Sequence, residues 1–103
     1  MKRILIITFS LVAIVQNLHA QFYSGSYTGT GSSLSITAPG FQPDFVIVKR
    51  STATGTGQIT VMKLAGMSSS IGMSVNDSAT DRITSFDATG FTVGTSATVN
   101  VNG

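Results

Sequence analysis

The sequence contains no cysteine, no tryptophan and no glutamate, and its single histidine, His19, lies in the apolar N-terminal region. Without cysteine, no disulfide can stabilise the fold. Beyond residue 20, the Ser-His-Asp and Cys-His arrangements of nucleophilic enzymes are excluded as well. Tryptophan, the residue that stacks most strongly on sugar rings, is also missing. We therefore predict that the chain is not an enzyme, with no catalytic residue and no cofactor.

Charged residues are scarce, at 10% of the chain, and the formal net charge is +2. Lys2 and Arg3 account for this excess, so that residues 21–103 are close to neutral. A neutral domain lacks the basic surface that nucleic acids and anionic membranes attract. We predict no nucleic-acid partner, and no membrane partner once the N-terminal region has been removed.

The N-terminal region has the composition of a secretory signal peptide. Two basic residues come first, an apolar stretch runs over residues 4–15, and Ala20 ends a short polar segment. The apolar stretch is shorter than the roughly 20 residues that a membrane-spanning helix needs. We predict a signal peptide over residues 1–20 and a secreted or cell-surface domain over residues 21–103, with an uncleaved N-terminal anchor as the alternative.

The remaining sequence alternates short apolar segments with Gly, Ser, Thr, Asn and Pro. No segment keeps the 3.6-residue period of a helix over three turns. Short strands at spacings of roughly 8 to 12 residues are typical of a small antiparallel β-sandwich or a jelly-roll-like fold, so we predict an all-β domain. The strand-like segments are residues 22–27, 33–37, 45–48, 59–64, 83–86, 91–93 and 97–101.

Three of these patterns lead to more specific predictions. Residues 45–48 are apolar at every position, which is typical of a central strand. Residues 87–90, Asp-Ala-Thr-Gly, predict a hairpin with a positive φ at the glycine. Residues 67–75 fit either a loop or a short edge strand. The predicted core includes Phe45, Ile47, Phe86, Phe91 and Val93.

Two segments together resemble a known family. They are residues 40–49, Gly-Phe-Gln-Pro-Asp-Phe-Val-Ile-Val-Lys, and residues 83–94, Ile-Thr-Ser-Phe-Asp-Ala-Thr-Gly-Phe-Thr-Val-Gly. They resemble a β-rich domain family of uncharacterised function found in bacteriophage tail-associated and bacterial surface proteins. Residues 27–31, Tyr-Thr-Gly-Thr-Gly, are similar to the turn that opens this family. The resemblance assigns no site residue.

The same resemblance suggests an open sheet edge. Members of the family usually continue into an aromatic-rich final strand, which is absent here after residue 103. Either the strand predicted over residues 97–101 has an unpaired edge and associates with another copy, for which residues 22–27 are a candidate segment, or the chain is a truncated gene product with a frayed end. The predicted signal peptide favours a cell-surface role over a virion role.

Two groups of residues are candidates for binding. Tyr23 and Tyr27 are four residues apart, which places them on one side of a strand; they either bind a ligand or cover one end of the core. Asn76, Asp77 and Asp81 carry oxygen atoms that suit calcium, but the same residues also favour turns. We therefore predict no metal site.

The leading functional prediction is a secreted, non-catalytic structural or adhesive β module. It would be a subunit of an extracellular or cell-surface assembly that self-associates through an open sheet edge. The alternative is a carbohydrate-binding module that binds a glycan through Tyr23 and Tyr27.

Overall fold

The computed structural model describes residues 20–51, 59–74 and 77–102. In these ranges the chain forms β-strands, and no helix long and apolar enough to cross a membrane is present. The predicted signal peptide, apart from Ala20, lies outside the described residues. The strands are β1 (Leu34–Ile36), β2 (Phe45–Val48), β3 (Val61–Leu64), β4 (Ser70–Gly72), β5 (Asp77–Ala79), β6 (Ile83–Asp87) and β7 (Gly90–Val93).

The strands form two antiparallel sheets. One sheet has the strand order β1-β7-β6, and the other has the order β2-β3-β4-β5. Apolar side chains from the facing sides of both sheets form a single core. This arrangement is sandwich-like and confirms the prediction of an all-β fold. The buried core residues are Ile36, Val46, Val48, Val61, Ile83, Phe91, Val93 and Val99.

The predicted hairpin over residues 87–90 is confirmed, because β6 pairs with β7 and Asp87 lies opposite Gly90. The expected positive φ at Gly90 is wrong. A side chain is excluded at this position for a different reason: an added Cβ atom would lie 1.8 Å from the carbonyl oxygen of Ile36 in the neighbouring strand β1. Glycine is therefore required here by the close approach of two strands.

Strand β2 lies at an edge of its sheet, so the prediction of a central strand over residues 45–48 is wrong. Val46 and Val48 are buried, whereas Phe45 and Ile47 are 49% and 51% exposed. Their assignment to the core is also wrong, because the second sheet covers only one face of β2. The predictions for Phe91 and Val93 are confirmed, and Phe86 is partly buried against the core.

Two segments predicted as strands have no strand structure. Residues 22–27 pair with no strand in the described ranges. Residues 97–101 contain a turn, in which the backbone N–H groups of Val99 and Asn100 both donate to the carbonyl oxygen of Ser96. The predicted strand over residues 59–64 is confirmed in its second half, and the ambiguous segment over residues 67–75 contains the short strand β4.

Candidate functional site

A groove of about 1000 Å³ runs along β2. Residues 20–29 of the N-terminal segment form one side of this groove, and residues 45–50 form another. Ile36, Phe91 and Val99, which belong to the core, also line it. The groove therefore has an apolar lining beside an edge strand of the sandwich.

Both candidate tyrosines line this groove, but they do not form one exposed face. The hydroxyl group of Tyr27 donates to the carbonyl oxygen of Val99 at 2.5 Å, and the ring packs against the core. Burial raises the pKa of Tyr27 to about 12. Tyr27 thus connects the N-terminal segment to the turn over residues 96–100, and its hydroxyl group already has a partner.

Tyr23 is 41% exposed on the other part of the N-terminal segment. Its phenol ring lies against Gly25, where an added Cβ atom would be 2.2 Å from the tyrosine hydroxyl oxygen. Residues 21–30 form no strand, so the pairing that would hold the two tyrosines on one face of a sheet is absent. Of the two residues, Tyr23 is the one whose side chain is more accessible to a ligand.

Asn100 holds together three parts of the chain, a role that the sequence did not predict. It is 1% exposed. Its Oδ1 atom accepts a hydrogen bond from the backbone N–H of Thr30 at 2.7 Å, and its Nδ2 atom donates to the carbonyl oxygens of Ser32 and Gly94. A buried amide with three partners fixes the backbone around it. The alternating valine and asparagine residues around this position predicted a strand. Instead, the Asn100 side chain connects the C-terminal turn to two other segments of the chain.

The outer face of the four-stranded sheet is apolar, and it too was missed by the sequence analysis. Phe45 pairs with Leu64 across β2 and β3, and Ile47 pairs with Met62. Met62 in turn pairs with Ile71 of β4. Since paired residues point to the same side of a sheet, these five side chains form one surface, called the apolar face below. The sequence indicated this face only through β2, whose four consecutive apolar residues place apolar side chains on both sides of the sheet.

The outer face of the three-stranded sheet is polar. Asp87 accepts hydrogen bonds from the hydroxyl groups of Ser85 at 2.9 Å and Thr92 at 2.7 Å. The Oγ atom of Ser35 lies 3.2 Å from Oγ1 of Thr92. These four residues form the polar face. Ser85 lies opposite Thr92 in the regular register of the hairpin, and the register shift between Ile83 and Ser85 allows Ile83 to point into the core opposite Val93.

A smaller cavity of about 360 Å³ lies beside Lys63. The lysine is 6% exposed, and its Nζ atom donates to the carbonyl oxygens of Ile83 and Thr84, each at 3.2 Å. Ser70 reinforces the same contact, because its Oγ atom donates to the Ile83 carbonyl and accepts from the Ile83 backbone N–H. The two polar side chains therefore connect the sheets at β6.

Asp77, one of the residues considered for calcium, is paired with Arg82. The two side chains form a bidentate interaction with N–O distances of 3.0 and 2.8 Å. The hydrogen bonds from Arg82 hold the pKa of Asp77 below its ordinary value, and the pKa of Arg82 is raised in turn. Asn76 lies outside the described residues. Within the described ranges, no group of three or more potential metal-binding side chains occurs.

Comparison with known proteins finds one family. No curated protein and no solved structure matches the chain. The model of a family described as a domain of unknown function, DUF7483, matches residues 19–103. This match covers the groove, both sheets and the turn around Asn100. The chain therefore belongs to the DUF7483 family.

Proposed function

We propose that this chain is a non-catalytic structural module that assembles with further copies of itself on the outside of the cell. The apolar face carries this proposal. Phe45, Ile47 and Leu64 are each more than 40% exposed, although they lie side by side on a regular sheet. Contiguous apolar surface of this kind marks contact sites in soluble proteins.

The surface location follows from the predicted signal peptide over residues 1–20 and from the resemblance to bacterial surface and phage tail-associated domains. An adhesive or structural role agrees with these features because it needs contact surfaces rather than reactive groups. The carbohydrate-binding alternative now depends mainly on Tyr23, because the hydroxyl group of Tyr27 is bonded to Val99.

Sedimentation velocity over a concentration series tests the assembly. We expect the unmodified protein to form larger species as its concentration rises, and Leu64→Lys to shift this transition to at least tenfold higher concentration, because a charge on the apolar face opposes its burial. Ser35→Lys is the matched control: it adds the same charge to the exposed polar face and should leave association unchanged.

Thermal melting of both variants should show that each remains folded, since both positions are exposed in the single chain. A protein that remains monomeric at all concentrations would refute the proposed function. Equal effects of the two lysine substitutions would show that the apolar face is not the contact surface.

A further inference from the structure

One edge of β2 presents free backbone groups. Its other edge pairs with β3, and the backbone N–H of Ala65 donates to the carbonyl oxygen of Asp44 at 2.8 Å. In an antiparallel pair, hydrogen-bonded positions alternate along the strand. Asp44, Val46 and Val48 therefore direct their backbone groups toward β3. The backbone groups of Phe45, Ile47 and Lys49 point to the opposite edge, where no strand of the described residues pairs.

This edge lacks the features that normally prevent strand addition. The four residues of β2 are all apolar and include neither a proline nor a charged side chain. All four line the groove, so there is open space beside the strand. Natural edge strands are usually protected by charges, proline, bulges or a covering segment. Within β2 there is no charge, proline or bulge; charged residues flank it at positions 44, 49 and 50, and residues 20–29 form the other side of the groove without pairing with the strand.

We propose that β2 pairs with β2 of a second copy of this chain, in antiparallel orientation around a twofold axis at Ile47. This inference rests on the proposed function and adds a second contact between copies, at the edge of β2, to the contact made by the apolar face. The axis is perpendicular to the sheet, so the apolar faces of both copies lie on the same side. The two four-stranded sheets become one continuous sheet.

Charge complementarity selects this register. With Ile47 opposite Ile47, Phe45 lies opposite Lys49, and Asp44 lies opposite Arg50 of the second copy. Each dimer then has two Asp44–Arg50 pairs, which are favourable cross-strand neighbours. The Nε atom of Arg50 is buried and has no hydrogen-bond partner among the described residues. The Nη1 atom of the same guanidinium group donates to the carbonyl oxygen of Ala97 at 3.4 Å, and the group is partly exposed, so a carboxylate from a second copy can approach its outer side.

The two neighbouring symmetric registers are less favourable. With Val48 on the axis, Val46 would lie opposite Arg50 and Ile47 opposite Lys49, so neither cation would face a carboxylate. The other register has Val46 on the axis. It would place Val46 opposite itself and Asp44 opposite Val48, which leaves the charged residues without opposite charges. It would also place Lys49 opposite Pro43, which has no backbone N–H to donate. About four backbone hydrogen bonds would form, compared with about six when Ile47 is on the axis.

Residue-resolved hydrogen exchange at several protein concentrations tests the pairing directly. The backbone amides of Val46 and Val48 should be protected at every concentration, because they face β3. Those of Phe45, Ile47 and Lys49 should exchange rapidly in dilute solution and become protected as dimers form. Protection of these three amides that does not depend on concentration would mean that a segment of the same chain covers the edge, and it would overturn the proposal.

Charge reversal tests the register. Arg50→Asp should weaken association roughly five- to tenfold, because like charges then face each other twice in each dimer. Asp44→Arg should have a similar effect, and the double variant Asp44→Arg/Arg50→Asp should restore association. Restored association in the double variant would also show that the single substitutions act through the Asp44–Arg50 pair and not through misfolding.

The same measurements separate this inference from the proposed function. Association that is weakened by Leu64→Lys but unaffected by the charge reversals would refute the strand pairing and leave the assembly role intact. A purely monomeric protein would refute both. Failure of the double variant to restore association, with both single variants weakened, would exclude the register with Ile47 on the axis.

Discussion

The outer faces of the two sheets differ in chemistry although both belong to one small sandwich. On the three-stranded sheet, Ser35, Ser85, Asp87 and Thr92 share hydrogen bonds across neighbouring strands. On the four-stranded sheet, the corresponding surface consists of aliphatic, aromatic and thioether side chains. Antiparallel sheets commonly have one face on the core and one in water, which the polar face exemplifies. The apolar face departs from that rule, and the assembly that we propose would cover it.

The two edges of the four-stranded sheet differ in a similar way. At one edge, β5 is three residues long and carries Asp77, which is paired with Arg82. At the other edge, β2 is apolar throughout. A charged edge discourages pairing with other chains, whereas an apolar edge favours it. The two contrasts concern the same sheet, and the contact surface that we propose lies in the region they share, around β2.

The largest expected effect distinguishes the core from the apolar face. Phe91→Ala should reduce the free energy of unfolding by about 3–5 kcal/mol, because it empties a buried site. Phe45→Ala removes the same atoms from a half-exposed site and should cost only about 1 kcal/mol. Chemical denaturation in dilute solution, where dimers dissociate, measures both values. Equal losses would show that the apolar face is covered within the single chain.

A smaller effect concerns the charged edge and depends on pH. Because the folded pKa of Asp77 is lowered, its contribution to stability is complete above the ordinary value near 4 and disappears as the pH falls through the folded pKa. Asp77→Asn should therefore be less stable than the unmodified protein at pH 7, and the difference should shrink below about pH 4.

Denaturation at pH 7 and at several acidic pH values provides this comparison. Because the other aspartates are common to both proteins, the difference between the two curves isolates the Asp77–Arg82 pair. A difference that stays constant from pH 7 to pH 2 would contradict the assigned ion pair.

The smallest effect concerns the polar face. Thr92→Val keeps the branched shape but removes the hydroxyl group that donates to Asp87. We expect a loss of about 0.5–1.5 kcal/mol in the free energy of unfolding, because the bonds of this hydroxyl group to Asp87 and Ser35 are lost at a surface where water replaces them. Association should not change, because this face is remote from the contact surface. Denaturation and sedimentation measure the two quantities, and altered association would show that the polar face takes part in assembly.

Local patterns in the sequence were sufficient to predict strands with one polar face and the short turn that joins two strands. The alternation around Leu34 and Ile36 and the Asp-Ala-Thr-Gly hairpin are both present in the structure. The polar pattern over residues 97–101 was misleading. Asn100 uses its side chain to bind backbone groups of residues 30–32 and 94, and such local bonds compete with strand pairing.

The candidate site was predictable only in part. The sequence identified Tyr23 and Tyr27, and both line the groove. It could not show that Tyr27 bonds to Val99, because these residues are far apart in the chain. Nor could it show that residues 22–27 have no strand partner. A strand forms only when two segments pair, and the residue pattern of one segment does not identify its partner.

The sequence by itself determined the all-β class, because period-two alternation and frequent turn residues leave few alternatives. It also determined that β2 is apolar on both faces. Only the tertiary structure decided that one of these faces is covered and the other is open. Burial depends on which sheet packs against which face. The residue pattern shows that a face is suited to burial, but it does not show whether the surface that covers it comes from the same chain.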